Sequence, residues 1–131
     1  MSYDLMVFEP SAAPRDRQEF MDWYHRQAEW SEGHAYNDPS VSTPSLQKWF
    51  HDMRQYFPAM NGPYRSDADD PHVTDYCIGK CVVYVTFAWS LAEEAYEQMR
   101  SLAIKHGVGF FDVSADDGEI FYERGPDGQK N

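Results

Sequence analysis

The chain has few cysteines, few basic residues and no long apolar run. Its 131 residues include two cysteines, and 11 lysines and arginines stand against 22 aspartates and glutamates. A single C-x-x-x-C pair is neither a disulfide framework nor a zinc signature. If Cys77 and Cys81 lie on one regular strand, their Cα atoms are about 13 Å apart, which is too far for a disulfide. They could approach only if a turn at Gly79 and Lys80 folds the segment back. We therefore predict two buried free thiols.

The charge balance excludes several classes of partner. A net charge of −11 repels phosphate backbones and anionic lipid surfaces, so we expect neither nucleic acid nor membrane as a partner. The same charge favours a basic protein. The longest apolar run, Val82 to Trp89, is too short to span a bilayer, and the N-terminal residues lack the features of a signal peptide. These observations predict a cytoplasmic protein.

Recognisable catalytic motifs are also missing. The chain contains no G-x-S-x-G, no G-x-G-x-x-G and no phosphate-binding loop pattern. The glycines at 107 and 109 follow a predicted helix and precede a predicted strand, which is the reverse of a dinucleotide-binding arrangement. We therefore predict no catalytic residue, no metal and no cofactor, and we favour a protein that is not an enzyme.

Aromatic residues are plentiful and make up 16% of the chain. Large buried rings remove much area from water, which predicts an aromatic-rich core. The length suits one domain, which we place at residues 1–124, followed by a flexible tail at 125–131. The predicted strands lie at Tyr3–Glu9, Val73–Gly79, Lys80–Trp89, Val108–Val113 and Glu119–Tyr122. The second and third could instead be one long bent strand with Gly79 at a turn or bulge.

Capping signals predict three helices. The first begins after Asp16 and runs to about Trp30, and the second begins at Thr43 and Pro44 and ends before Pro58. The third begins at a capping box formed by Ser90 and Glu93 and ends at Gly107. The predicted order is β-α-α-β-β-α-β-β.

This order predicts an α+β protein of the ferredoxin-like class. Omitting one helix leaves β-α-β-β-α-β, which is the split β-α-β order of that class. We interpret the second helix and the acidic loop after it as insertions, and we expect the helices to pack on one face of an antiparallel or mixed sheet.

Two segments are the best candidates for a site. The stretch from Trp23 to Asp38 collects Trp, Tyr, His and Glu, but it lacks a third metal ligand at a diagnostic spacing. The irregular stretch Ala59–His72 is an acidic loop that lacks the remaining positions of a calcium loop. The second helix carries more rings than a short helix usually buries, and exposed rings beside carboxylates would suit a protein interface. The candidate binding residues are Trp30, His34, Tyr36, Asp38, Trp49, Asn61, Asp67, Asp69 and Asp70.

Four stretches resemble a family of small uncharacterised bacterial proteins. They are YDLMVFEP at 3–10, W-x-E-x-H-x-Y-x-D at 30–38, FPAMNGP at 57–63 and HGVGFFDVS at 106–114. Some members are similar to the immunity-type proteins of polymorphic toxin systems. The resemblance implies a single bacterial cytoplasmic domain and supplies no catalytic residue.

Two hypotheses follow. The first is an acidic protein-binding module, of the immunity type, that neutralises a basic toxin or effector. The alternative is a small ferredoxin-like enzyme or ligand-binding protein with a pocket lined by His25, Trp30, His34, Tyr36 and Asn61. Either version could be a monomer or a homodimer.

Overall fold

A computed structural model describes residues 2–122, which form an α+β structure with a five-stranded antiparallel sheet. The strand order is β2-β3-β1-β4-β5, and every neighbouring pair is antiparallel. The α+β class is thus confirmed. The strands are β1 (Tyr3–Phe8), β2 (Asp75–Ile78), β3 (Val82–Phe87), β4 (Gly109–Phe111) and β5 (Ile120–Phe121), and the α-helices are α1 (Arg17–Gln27), α2 (Pro44–Met53) and α3 (Ala92–His106).

The central strand β1 is buried on both of its faces. Leu5 and Val7 point to one side, whereas Met6 and Phe8 point to the other, and none of the four is more than 1% exposed. A strand covered on both sides has no need of polar residues at alternate positions. This explains why LMVF is a continuous apolar run.

The two faces of the sheet have separate cores. On one face, α2 and α3 pack together over the sheet, and the largest buried side chains there are Leu5, Leu46, Trp49, Phe50, Met53, Phe57, Ile78, Met99 and Phe110. On the other face α1 packs alone, and its core consists of Met6, Phe8, Ala13, Phe20, Trp23, Val82 and Phe111.

The expectation that all helices share one face is therefore wrong. Helix α1, which carries Phe20 and Trp23, covers the face opposite α2 and α3. The second helix therefore does not join α1 in one layer, because the two helices lie on opposite faces of the sheet. Both faces of β1 are apolar, and each needs a cover to remove it from water.

For the first and the third predicted helix, one end is confirmed and the other is corrected. Asp16 Oδ2 accepts the Glu19 amide at 3.1 Å, and Gly107 adopts a left-handed conformation after α3. Helix α1 ends at Gln27 rather than near Trp30, which has a positive φ of 50°. Helix α3 has no Ser90 cap, because a 3-10 turn at Trp89–Leu91 delays its start to Ala92.

Most rings of the second predicted helix belong to the core. Trp49, Phe50 and Phe57 are at most 1% exposed, whereas Tyr56 is 49% exposed. Pro44 occupies the first turn as predicted, but Thr43 makes no side-chain cap. The helix ends at Met53, and turns carry the chain on to Phe57.

Three further predictions concern the remainder of the chain. Cys77 and Cys81 are free but only half-buried, on either side of the turn between β2 and β3. The predicted flexible tail at 125–131 lies outside the described residues. Within residues 2–122, none of the helices has both the length and the apolar character needed to cross a membrane.

Candidate functional site

Two irregular segments lie side by side along the outer edge of β2. The first, residues 30–38, accepts a hydrogen bond from the Ile78 amide through the carbonyl oxygen of Tyr36 at 2.9 Å. The second is the acidic loop at residues 59–72, beside which the Thr74 amide donates to the Pro58 carbonyl at 2.8 Å and the Thr74 carbonyl accepts from Met60 at 2.9 Å. We call the exposed side of these two segments the β2-edge surface.

The two segments meet at Gly62. A Cβ atom added to this glycine would lie 2.1 Å from the carbonyl oxygen of Asn37, so the two backbones touch. One segment bonds to Ile78 at the end of β2, and the other bonds to Thr74 just before its start. The chain's own backbone therefore lies along this edge strand, which is one way to prevent pairing with another sheet. The contact also brings Asn61, which precedes Gly62, close to Tyr36 and Asp38, which flank Asn37 on a distant part of the chain.

Glu32 organises the first segment. Its Oε1 accepts the Lys80 amide at 3.0 Å and lies 2.6 Å from His34 Nε2, while its own amide donates to the Tyr36 hydroxyl at 2.6 Å. His34 Nδ1 lies 2.8 Å from the Ala35 carbonyl oxygen. The Ala35 carbonyl and the Glu32 carboxylate raise the pKa of His34 above its ordinary value. This network fixes the segment against the turn between β2 and β3.

Trp30 and Asp38 mark the two ends of the first segment. Trp30 is half-buried and packs edge-on against Tyr36, with ring centroids 5.2 Å apart, and against Tyr84 at 6.1 Å. Asp38 Oδ1 accepts the Ser40 amide at 2.9 Å and caps a short 3-10 turn. That hydrogen bond lowers the pKa of the Asp38 carboxyl.

The acidic loop is fixed at one end and projects at its middle. Asp70 Oδ1 accepts the His72 amide at 2.7 Å, and the His72 ring lies between Asp70, at 3.0 Å, and Glu94 on α3, also at 3.0 Å. Asn61 and Asp69 are exposed, and the side chain of Asp67 is 93% exposed with a loose contact of 3.7 Å to Arg65. Carboxylates are therefore presented to solvent from a loop whose base is held.

Large apolar side chains are exposed at the beginning of this loop. Among the described residues five such side chains are exposed, and Tyr56, Met60 and Tyr64, at 41–49% exposure, fall within residues 56–64. We call these three the apolar patch. Tyr64 is held in place because its ring centroid lies 4.8 Å from that of His51 and 4.6 Å from the Arg54 guanidinium carbon.

Trp49 does not belong to this surface. It is fully buried between α2 and α3, and its Nε1 lies 3.5 Å from the Met99 carbonyl oxygen. A ring with 0% exposure cannot touch a partner in this conformation. The amphipathic spacing of α2 indicates the core role of this residue, and the prediction that Trp49 contacts a partner is wrong.

The remaining polar candidates do not converge on a metal-binding arrangement. Within residues 2–122, no group of three or more His, Cys, Asp and Glu side chains is placed to hold a metal ion. His25 and Glu29 are exposed on and just after α1, and the His25 ring lies 5.2 Å from that of Tyr24.

A polar cluster beneath α3 has no local signal in the sequence. Glu119 accepts hydrogen bonds from Arg100 at 2.8–3.1 Å and from the Tyr96 hydroxyl at 2.8 Å. Asp112 lies next to this cluster, since its amide donates to the Glu119 carbonyl at 2.9 Å. No local spacing could reveal it, because its members come from separate elements.

Comparisons with known proteins identify no relative of this chain. Neither protein-family models, nor curated proteins, nor solved structures give a match to this chain. The resemblance to immunity-type proteins therefore remains a prediction.

Proposed function

We propose that this chain is a non-enzymatic protein-binding module, of the immunity type, that binds and neutralises a basic protein. The observation that carries the proposal is the exposure of three large apolar side chains, the apolar patch of Tyr56, Met60 and Tyr64, which shortly precede the exposed carboxylates of Asp67 and Asp69 in the sequence. The net charge of −11 supports the choice of a basic partner.

Affinity and steering depend on different side chains of an interface. Rings and methionine side chains that a partner desolvates supply most of the binding energy of an interface, whereas surrounding charges raise the association rate and select the partner. Tyr64 already has its ring placed by His51 and Arg54, so little side-chain entropy remains to be lost on binding.

We also propose that the core of the fold is ferredoxin-like. Four strands in the order β2-β3-β1-β4, all antiparallel, with α2 and α3 on one face, support this assignment. On this view α1, on the opposite face, and β5, at the edge beyond β4, are the additions.

The direct test is co-expression with the product of the neighbouring gene. We expect a complex on size exclusion and relief of any growth defect that the partner causes. The double variant Tyr56→Ala/Met60→Ala should weaken the complex at least about tenfold, since each lost anchor typically costs more than about 1 kcal/mol. Ile104→Ala is the matched control, because Ile104 is 42% exposed but lies on α3 outside the patch.

The electrostatic part of the proposal has its own test. Asp67→Asn/Asp69→Asn should slow association and reduce its dependence on salt, while dissociation changes little. The control, Asp22→Asn/Asp116→Asn, removes two exposed charges elsewhere. Full toxin protection by the patch variant, or equal losses in both charge variants, would remove the β2-edge surface from the proposal.

A further inference from the structure

The position of Tyr64, one of the three members of the apolar patch, depends on side chains at the end of α2. The Tyr64 ring is 41% exposed, and the guanidinium carbon of Arg54 lies 4.6 Å from its centre. The ring centroid also lies 4.8 Å from that of His51, edge-on at 82°, and 6.2 Å from that of Phe50. These three neighbours together hold Tyr64 in its exposed position.

Two of the three neighbours are joined to each other by a hydrogen bond. Arg54 Nε donates to Nδ1 of His51, which is half-buried, at 3.1 Å. A guanidinium can only donate, so His51 Nδ1 must present its lone pair, and the ring carries its proton on Nε2. The arrangement around Tyr64 therefore requires a neutral imidazole.

Protonation of His51 is incompatible with this contact. An imidazolium carries a proton on both ring nitrogens, so Nδ1 would point a donor at a donor, and two positive charges would lie side by side. Burial, together with the charge of Arg54, lowers the pKa of His51 below 6.5. Asp52, the next residue on α2, directs its carboxylate to Lys105 and His106 of α3, both at 2.9 Å. Once His51 is protonated, it and Arg54 must therefore separate.

Two histidines of the β2-edge surface respond to acid in the opposite direction. The ring nitrogens of His34 face a carbonyl and a carboxylate, and those of His72 face two carboxylates. These acceptors raise the pKa of both rings above 6.5. As the pH falls, both rings are therefore protonated before His51, and the change at Tyr64 comes after theirs.

We propose that His51 is a pH switch for the apolar patch. Neutral His51 accepts the hydrogen bond from Arg54, and the pair keeps the Tyr64 ring in place for the partner. Protonation separates the pair, so Tyr64 loses part of its support. The partner is bound at neutral pH and is released more readily as the solution becomes acidic. This inference rests on the proposed function, because it assigns a regulation to the same surface.

An NMR titration of the free chain, from about pH 7.5 to about pH 4.5, tests the switch without a partner. We expect the Tyr64 ring signals, assigned with Tyr64→Phe, to shift with the same midpoint as the His51 ring, below pH 6.5. His51→Asn keeps an acceptor near the position of Nδ1 but does not titrate, so the Tyr64 shift should disappear. His25→Asn is the matched control, because His25 is exposed on α1, and it should leave the Tyr64 shift unchanged.

A second variant tests the charge of Arg54. Arg54→Gln removes this charge and should raise the midpoint of the His51 titration, because the charge is one of the two causes that lower the His51 pKa. A Tyr64 shift that persists in His51→Asn would overturn the inference. So would a His51 midpoint that stays the same in Arg54→Gln.

The complex obtained by co-expression with the neighbouring gene product gives the readout of binding. Its dissociation rate should rise about tenfold between about pH 7.5 and about pH 5, the factor expected for the loss of one anchor. His51→Asn should reduce this ratio to near one, and an equal ratio in both proteins would mean that His51 does not regulate binding. A chain that forms no complex would overturn the proposed function, whereas the free chain alone decides the coupling of His51 to Tyr64. The two failures are therefore distinguishable.

Discussion

The carbonyl oxygen of Asn37 lies where a side chain on Gly62 would begin. The distance from that oxygen to a Cβ atom placed on Gly62 is 2.1 Å, and the glycine has a φ of +86°. Both the contact and the backbone conformation thus require glycine at the point where the two segments of the β2-edge surface meet.

Replacing Gly62 by alanine should therefore destabilise the protein in two ways. The left-handed conformation alone costs a residue with a side chain about 1–2 kcal/mol, and the clash adds to this because backbone atoms on both sides must move apart. Gly33→Ala is a matched control, since Gly33 has a φ of +85° but nothing within 4 Å of the added Cβ atom. Urea unfolding should show a clearly larger loss for Gly62→Ala, and equal losses would mean that the Asn37 contact is unimportant.

Gly109 tests steric fit without backbone strain. A Cβ atom at this position would lie 2.3 Å from the Phe8 ring, whereas Gly109 does not have a positive φ. Overpacking of this kind costs about 1–3 kcal/mol. Gly109→Ala should therefore unfold at lower urea, and Phe8→Leu should recover part of the loss. If the double variant merely shows the sum of the two single losses, the ring is not what excludes the methyl group.

The sequence predicts local elements better than their arrangement. The strand predicted at Tyr3–Glu9 lies at Tyr3–Phe8, and the left-handed stop at Gly107 is present. The side of the sheet that each helix covers is not predictable in the same way. Val82 and Val83 on β3 point to opposite faces, and both are apolar. Such a pattern fits a helix on either side.

The same limit applies to the helix starts and to the polar clusters. The Ser90 box is a sound local signal, but the Leu91 amide bonds to the Ala88 carbonyl at 3.0 Å and a 3-10 turn takes its place. The pairing of Arg100 with Glu119 joins α3 to the residue just before β5. Nothing in a one-dimensional pattern connects two such positions.

Asp52 joins the two helices that share a face. Its Oδ2 lies 2.9 Å from Lys105 Nζ and 2.9 Å from His106 Nε2, at the end of α3. The hydrogen bond from Lys105, followed by that from His106, lowers the pKa of Asp52 below 3.8. A lowered carboxyl pKa means that the stabilisation is fully present above the unfolded pKa and is lost as the pH falls through the folded value.

Asp52→Asn should therefore cost about 1 kcal/mol at neutral pH, within the range for a partly buried ion pair. Urea unfolding measured from pH 7 down to pH 2.5 should show the difference from the unchanged chain shrinking below about pH 3.8. Asp116→Asn, an exposed control, should show little difference throughout. A constant gap at every pH would mean that the Asp52 charge does not carry the effect.

His72 should control the base of the acidic loop in the opposite pH direction. Its ring bonds Glu94 on α3 and Asp70 in the loop, and these two carboxylates raise its pKa above 6.5, Glu94 having the larger effect. A raised histidine pKa gives stabilisation that is fully present below pH 6.5 and disappears as the pH rises through the folded value. An NMR titration of the His72 ring should show the raised pKa directly, and Glu94→Gln should lower it more than Asp70→Asn does. If Asp70→Asn lowers the His72 pKa more than Glu94→Gln does, the main partner of His72 lies within the loop and not on α3. The exposed carboxylates of Asp67 and Asp69 would then lack the rigid base on which their steering role depends.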